Sequence, residues 1–88
     1  MLTKEKLIIY ENYLGDGDAF THASKREKNI ISGSEFTQIE RLLQDIKLIK
    51  GGLAAKSYED EVERELERNV DSKETREYLY KLVEKFLK

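Results

Sequence analysis

From Phe36 to Leu53 apolar side chains return every three or four residues. Phe36, Ile39, Leu43 and Ile46 fall on one face, and Leu42, Ile49 and Leu53 widen it. The spacing follows the turn of an α-helix, and so broad a stripe predicts a helix at the centre of a core. Gly51-Gly52 supplies the stop, because glycine tolerates the left-handed conformation in which many helices end. No segment alternates apolar and polar residues as a half-buried strand does. The expected fold class is therefore all-α.

The flanking segments repeat the pattern. Thr3 caps a helix through Leu14, with Leu7, Tyr10 and Leu14 on one face, and Gly15 ends it. Asp18 caps a turn carrying Ala19 and Phe20. Ser24, three residues before Glu27, has the capping-box spacing and starts a short helix to about Ile31. After Ser32-Gly33-Ser34, Ser34 caps the central helix. Ser57 caps the next one, whose narrow stripe is Tyr58, Val62 and Leu66. Asp71 stands three residues before Glu74 and opens the last helix, which carries Tyr78, Leu79, Tyr80, Leu82, Val83, Phe86 and Leu87. Residues 1–88 form one small domain of four helices and a short fifth, arranged as a compact bundle or an orthogonal array.

A chain of 88 residues buries only about 60% of the surface its unfolded form exposes, so stability is modest. There is no cysteine to add a disulfide and no proline to break a helix. Charged residues are 39% of the chain but nearly balance at net −2, which suits a folded domain with a solvated surface. The longest uninterrupted apolar run is Leu7-Ile8-Ile9-Tyr10, too short for a signal peptide or a membrane span. The expectation is a cytoplasmic protein with no membrane contact.

The stretch Tyr13 to His22, YLGDGDAFTH, most resembles a site. As a calcium loop beginning at Asp16 it places Asp18 third and Glu27 twelfth, but Phe20 stands fifth, where a ligand belongs. Thr21 stands sixth, where the turn needs glycine. As a phosphate loop it fails because two carboxylates repel the anion. A connector between helices accounts for every residue, with Gly15 and Gly17 as permissive backbone. One histidine without cysteine builds no typical zinc site. No metal or cofactor is expected.

Catalysis has little material. No thiol is present, and Ser24, Ser32, Ser34, Ser57 and Ser72 all fall where helix caps belong. A helix-turn-helix built on Ser32-Gly33-Ser34 needs a basic reading helix, yet Glu35 to Lys50 holds three acids against three bases. The basic cluster Lys25-Arg26-Glu27-Lys28 is too small for a phosphate footprint. The chain reads as a non-enzymatic interaction module of inhibitor, immunity, adaptor or small-subunit type. Nucleic-acid binding by a helix-turn-helix-like regulator is the third reading.

Two surfaces are candidates. Between Ser57 and Asp71 seven acids face two bases, a local net of −5. Glu61, Glu63, Glu65 and Glu67 are expected to form a docking face for a basic protein partner. The last helix is apolar on two sides. Leu79, Leu82 and Phe86 make one stripe, and Tyr80, Val83 and Leu87 make another, the expected interface of a homodimer or larger structural assembly.

Overall fold

The computed structural model describes residues 1–86 and is all-helical, in the order α1 (Lys4–Glu11), α2 (Ala19–His22), α3 (Lys25–Ile30), α4 (Gly33–Lys50), α5 (Lys56–Asn69) and α6 (Lys73–Phe86). Helix α4 is the spine. Helices α1, α2, α5 and α6 all pack on it, and α6 also packs on α1. The spine buries Phe36, Ile39, Leu42, Leu43 and Ile46. Leu79, Leu82 and Val83 from α6, Val62 and Leu66 from α5, and Leu7, Ile9 and Tyr10 from α1 close around it. Each such side chain contributes about 1.5–3 kcal/mol by leaving water. Among the described residues no helix is long and apolar enough to cross a membrane.

The first half of the chain is held by its caps. Thr3 accepts the Lys6 N–H at the start of α1. Ser24 and Glu27 form the expected capping box of α3, a helix separate from α2. The spine begins two residues earlier than expected. Ser32, not Ser34, is its N-cap, and it forms a second box with Glu35. Burial pushes the Glu35 carboxyl up. The Lys6 ammonium at 2.5 Å and the Ser32 N–H outweigh that and hold it below the usual carboxylate range. Phe36 ties α1, the connecting loop and α2 together through Tyr10, Tyr13 and Phe20, whose ring centroids lie 5.7, 6.2 and 5.9 Å away. Aromatic pairs at this spacing add to plain burial.

Three sequence expectations are corrected in the second half. Leu53 does not widen the spine's buried face. The Leu53 N–H donates to the Leu48 carbonyl and the Gly52 N–H to that of Ile49, with Gly52 at φ +71°. This double bond pattern closes the helix before Leu53, which is 78% exposed. Ser57 does not cap α5. Lys56 is already helical, and the capping position falls to Ala55, which has no side chain to offer. At α6 the cap is Ser72, whose hydroxyl accepts the Thr75 N–H, so Asp71 and Glu74 form no box. Asp71 instead accepts the hydroxyl of Thr75, the one fully buried polar side chain among the described residues.

Leu2 joins this end of the molecule. Its N–H donates to the Asn69 carbonyl at 2.6 Å and its carbonyl accepts from Asp71 at 3.1 Å, a single parallel bridge opposite Val70. The Leu2 side chain is fully buried.

Candidate interaction surface

The four glutamates of α5 do not share one face. Residues two apart on a helix point in nearly opposite directions, while residues four apart stack. Glu61 and Glu65 therefore lie on one flank of the Val62–Leu66 stripe, and Glu63 and Glu67 on the other. Glu61 and Glu65 line a hollow toward α4 with Arg41 and Tyr58. Glu67 lines another toward the start of α6, with Lys73 and Arg76.

Two of the four are engaged within the chain. Glu65 pairs with Arg41 at 2.5 Å, and Glu63 pairs with Arg76, pushing the guanidinium pKa up. No ion pair among the described residues involves Glu61 or Glu67, which are both exposed. The back of α5, opposite its apolar stripe, is mixed in charge. There Asp60 pairs with Lys56 at 3.2 Å, beside exposed Arg64 and Arg68. The four glutamates are thus spread along two seams, where Arg41 of α4 and Arg76 of α6 each meet one of them.

The turn between α4 and α5 has the opposite character. Leu48 is 42% exposed and lies beside Leu53. With Ala54, Ala55 and Tyr58 they line a hollow of about 340 Å³. On the other side of Leu48 a second hollow, of about 330 Å³, is lined by Gln44, Lys47 and Phe86. The Tyr58 hydroxyl donates to Asp45, and that bond, reinforced by burial, pushes its pKa up to about 12. The tyrosine is therefore a neutral, fixed wall. The sequence signal for this surface was the Gly51-Gly52 stop, since a helix that ends there cannot carry Leu53 into the core.

The Gly15–Asp18 stretch is a connector with an internal clasp. Gly15, at φ +85°, makes the turn. Asp18 occupies the cap position of α2 without a side-chain bond. Asp16 does the holding: its carboxylate accepts the Asp18 N–H at 2.8 Å and meets His22 Nδ1 at 2.6 Å. The bond to His22 lowers the Asp16 pKa and raises that of His22. Glu27, twelfth in the calcium template, accepts from the Tyr13 hydroxyl at 2.5 Å and the Ser24 N–H at 2.8 Å. Among the described residues no three acidic or histidine side chains are grouped to hold a metal ion.

Of the residues expected at a dimer interface, Val83 is fully buried in the chain's own core. Tyr80 is half-buried; its hydroxyl accepts from Arg76 Nε at 3.1 Å, and the Lys50 ammonium lies 5.9 Å from its ring centre. Leu87 lies outside the described residues. Leu79 and Leu82 are core, as a helix packed against both α1 and α4 requires. The chain matches no protein-family model, no curated protein and no solved structure.

Proposed function

We propose that the chain is a non-enzymatic protein-interaction module that docks its partner through the apolar end formed at the α4–α5 turn. The observation that carries this reading is the pair Leu48 and Leu53, both exposed and lining one hollow. Scattered exposed apolar residues are ordinary; adjacent ones around a hollow are what a partner buries. The turn is fixed by its backbone bonds, so the surface is preformed and little ordering entropy opposes docking. The engagement of Glu63 and Glu65 within the chain favours this surface over the acidic helix. A cytoplasmic setting belongs to the proposal and rests on the cysteine-free composition.

The test is a parallel pull-down from the native host with three folded proteins. One is unaltered, one carries Leu48→Gln and Leu53→Asp, and one has Glu61, Glu63, Glu65 and Glu67 changed to glutamine. The proposal expects the partner to be lost only from the Leu48/Leu53 variant. Loss only from the glutamine variant returns the docking face to α5. Retention by both variants removes both surfaces.

A further inference from the structure

The Gly15–Gly17 backbone, Tyr10 near the end of α1, Glu40 in the middle of α4 and Phe86 at the end of α6 line a hollow of about 150 Å³, together with Asp16. Tyr10 is 4% exposed, with its ring packed on Phe36. Its hydroxyl has no hydrogen-bond partner among the described residues. The other tyrosine hydroxyls all have one. Those of Tyr13, Tyr58 and Tyr78 donate to carboxylates, and that of Tyr80 accepts from Arg76. No polar side-chain atom among the described residues is sealed from solvent without a partner, so the Tyr10 hydroxyl opens onto the hollow it lines. Buried polar groups are nearly always bonded. One left open at the floor of a hollow marks where a ligand supplies the bond.

The walls choose the charge of that ligand. Asp16 is engaged with His22 and the Asp18 N–H. Glu40 is exposed and enters no ion pair among the described residues. Neither lysine nor arginine lines the hollow; Lys47, over the Phe86 ring, lines the separate hollow beside Leu48. Burial, with the Glu40 charge, pushes the Tyr10 pKa up to about 12, so its hydroxyl is neutral and has lone pairs to accept with. Two carboxylates repel an anion, while the rings of Tyr10 and Phe86 attract a cation. A hard metal ion wants a fuller set of oxygen ligands than this, and no described acidic or histidine cluster provides it. The space holds about five waters, well below the roughly 300–1,000 Å³ of a drug-sized site.

We infer that this hollow binds a primary ammonium group on a short aliphatic stem, with the head between Glu40 and the Tyr10 hydroxyl and the stem along Phe86. The group has two sources, a free alkylamine or the lysine side chain of another protein. The site does not rest on the docking surface at the α4–α5 turn and stands or falls separately.

The experiment is an NMR titration of the full chain with butylammonium chloride, with sodium butyrate at matched ionic strength, and with an end-blocked Gly-Lys-Gly peptide. Butylammonium is expected to shift the Gly15 and Gly17 amides and the Tyr10 ring signals saturably, in the millimolar range that suits so small a ligand. Butyrate is expected to leave them in place. Glu40→Gln should weaken binding about tenfold, as loss of a charge-assisted bond does. Tyr10→Phe keeps the ring and should weaken it about three- to tenfold. Glu61→Gln, an exposed acid on α5, should change nothing, and melting temperatures show each variant folded.

No saturable shift, equal binding of butyrate, or full affinity in either Glu40→Gln or Tyr10→Phe overturns the site. With the site upheld, the peptide separates its sources. Saturation at concentrations comparable to butylammonium, or lower, assigns the hollow to a lysine side chain. Saturation only at far higher concentrations assigns it to a free amine.

Discussion

The two ends of α5 are built on opposite terms. At its C-terminal end Leu2 is buried and hydrogen-bonded to Asn69 and Asp71, and Thr75 is buried with Asp71 and Ser72 as partners. At its N-terminal end the cap is an alanine, and Leu53 stands in solvent. The first end satisfies its polar groups and hides its apolar ones, which stabilises the fold. The second leaves both undone, in a turn whose backbone is nonetheless fixed. An exposed apolar end on a rigid frame contributes nothing to stability, so its meaning is to be sought in contacts with something else.

The largest effect expected from this contrast is at Leu2. Leu2→Ala leaves a cavity under the bridge and should destabilise by about 2–4 kcal/mol, lowering the melting temperature on the order of 10–20 °C. Leu53→Ala, the same truncation at the other end, should stay within about 0.5 kcal/mol. Equal losses in chemical denaturation would erase the distinction between the ends.

Thr75→Val keeps the shape and removes the buried hydroxyl. It should destabilise by about 1 kcal/mol, since Asp71 can turn to water once its donor is gone. Ala55→Asp should move stability the other way. The backbone there is already extended, φ −70° and ψ 157°, as an N-cap requires. The new carboxylate should add about 0.5–1 kcal/mol, read as a rise in melting temperature. No gain would mean that the open end is already satisfied.

The smallest effect belongs to the Asp16–His22 clasp, away from both ends. Its contribution is full below the ordinary histidine value of 6.5 and fades as pH rises through the raised folded value. On the acid side it is lost as pH falls through the lowered Asp16 value. An NMR titration should place the His22 midpoint above 6.5, and Asp16→Asn should return it toward that figure. An unchanged midpoint in the variant would dissolve the clasp.

The sequence was readable wherever one local pattern stood alone. Thr3, the Ser24–Glu27 box and the Gly51-Gly52 stop needed no tertiary information, because each cap is a bond between neighbours. It misled where two candidates competed. Ser32 and Ser34 both precede an apolar run, and the Glu35 carboxylate three residues on selects Ser32. Asp71 and Ser72 both suit a cap, and the burial of Thr75 draws Asp71 to the hydroxyl. Ser57 lost to Ala55 because the Tyr58 and Glu59 N–H groups both bond back to the Ala55 carbonyl, which puts Ser57 inside the first turn. The spreading of the α5 acids over two seams was legible from spacing alone, but their partners Arg41 and Arg76 were not. Leu2 was invisible, since its burial depends on a loop about seventy residues later.

Amide hydrogen exchange along α5 tests the contrast between its ends most directly. The Val70 and Asp71 N–H groups donate to the Leu66 and Leu2 carbonyls, while those of Lys56 and Ser57 have no acceptor among the described residues. The account predicts that Val70 and Asp71 exchange only through near-global unfolding, and that Lys56 and Ser57 exchange at rates close to an open chain. Equal protection at the two ends, or slower exchange at Lys56 and Ser57, would contradict it.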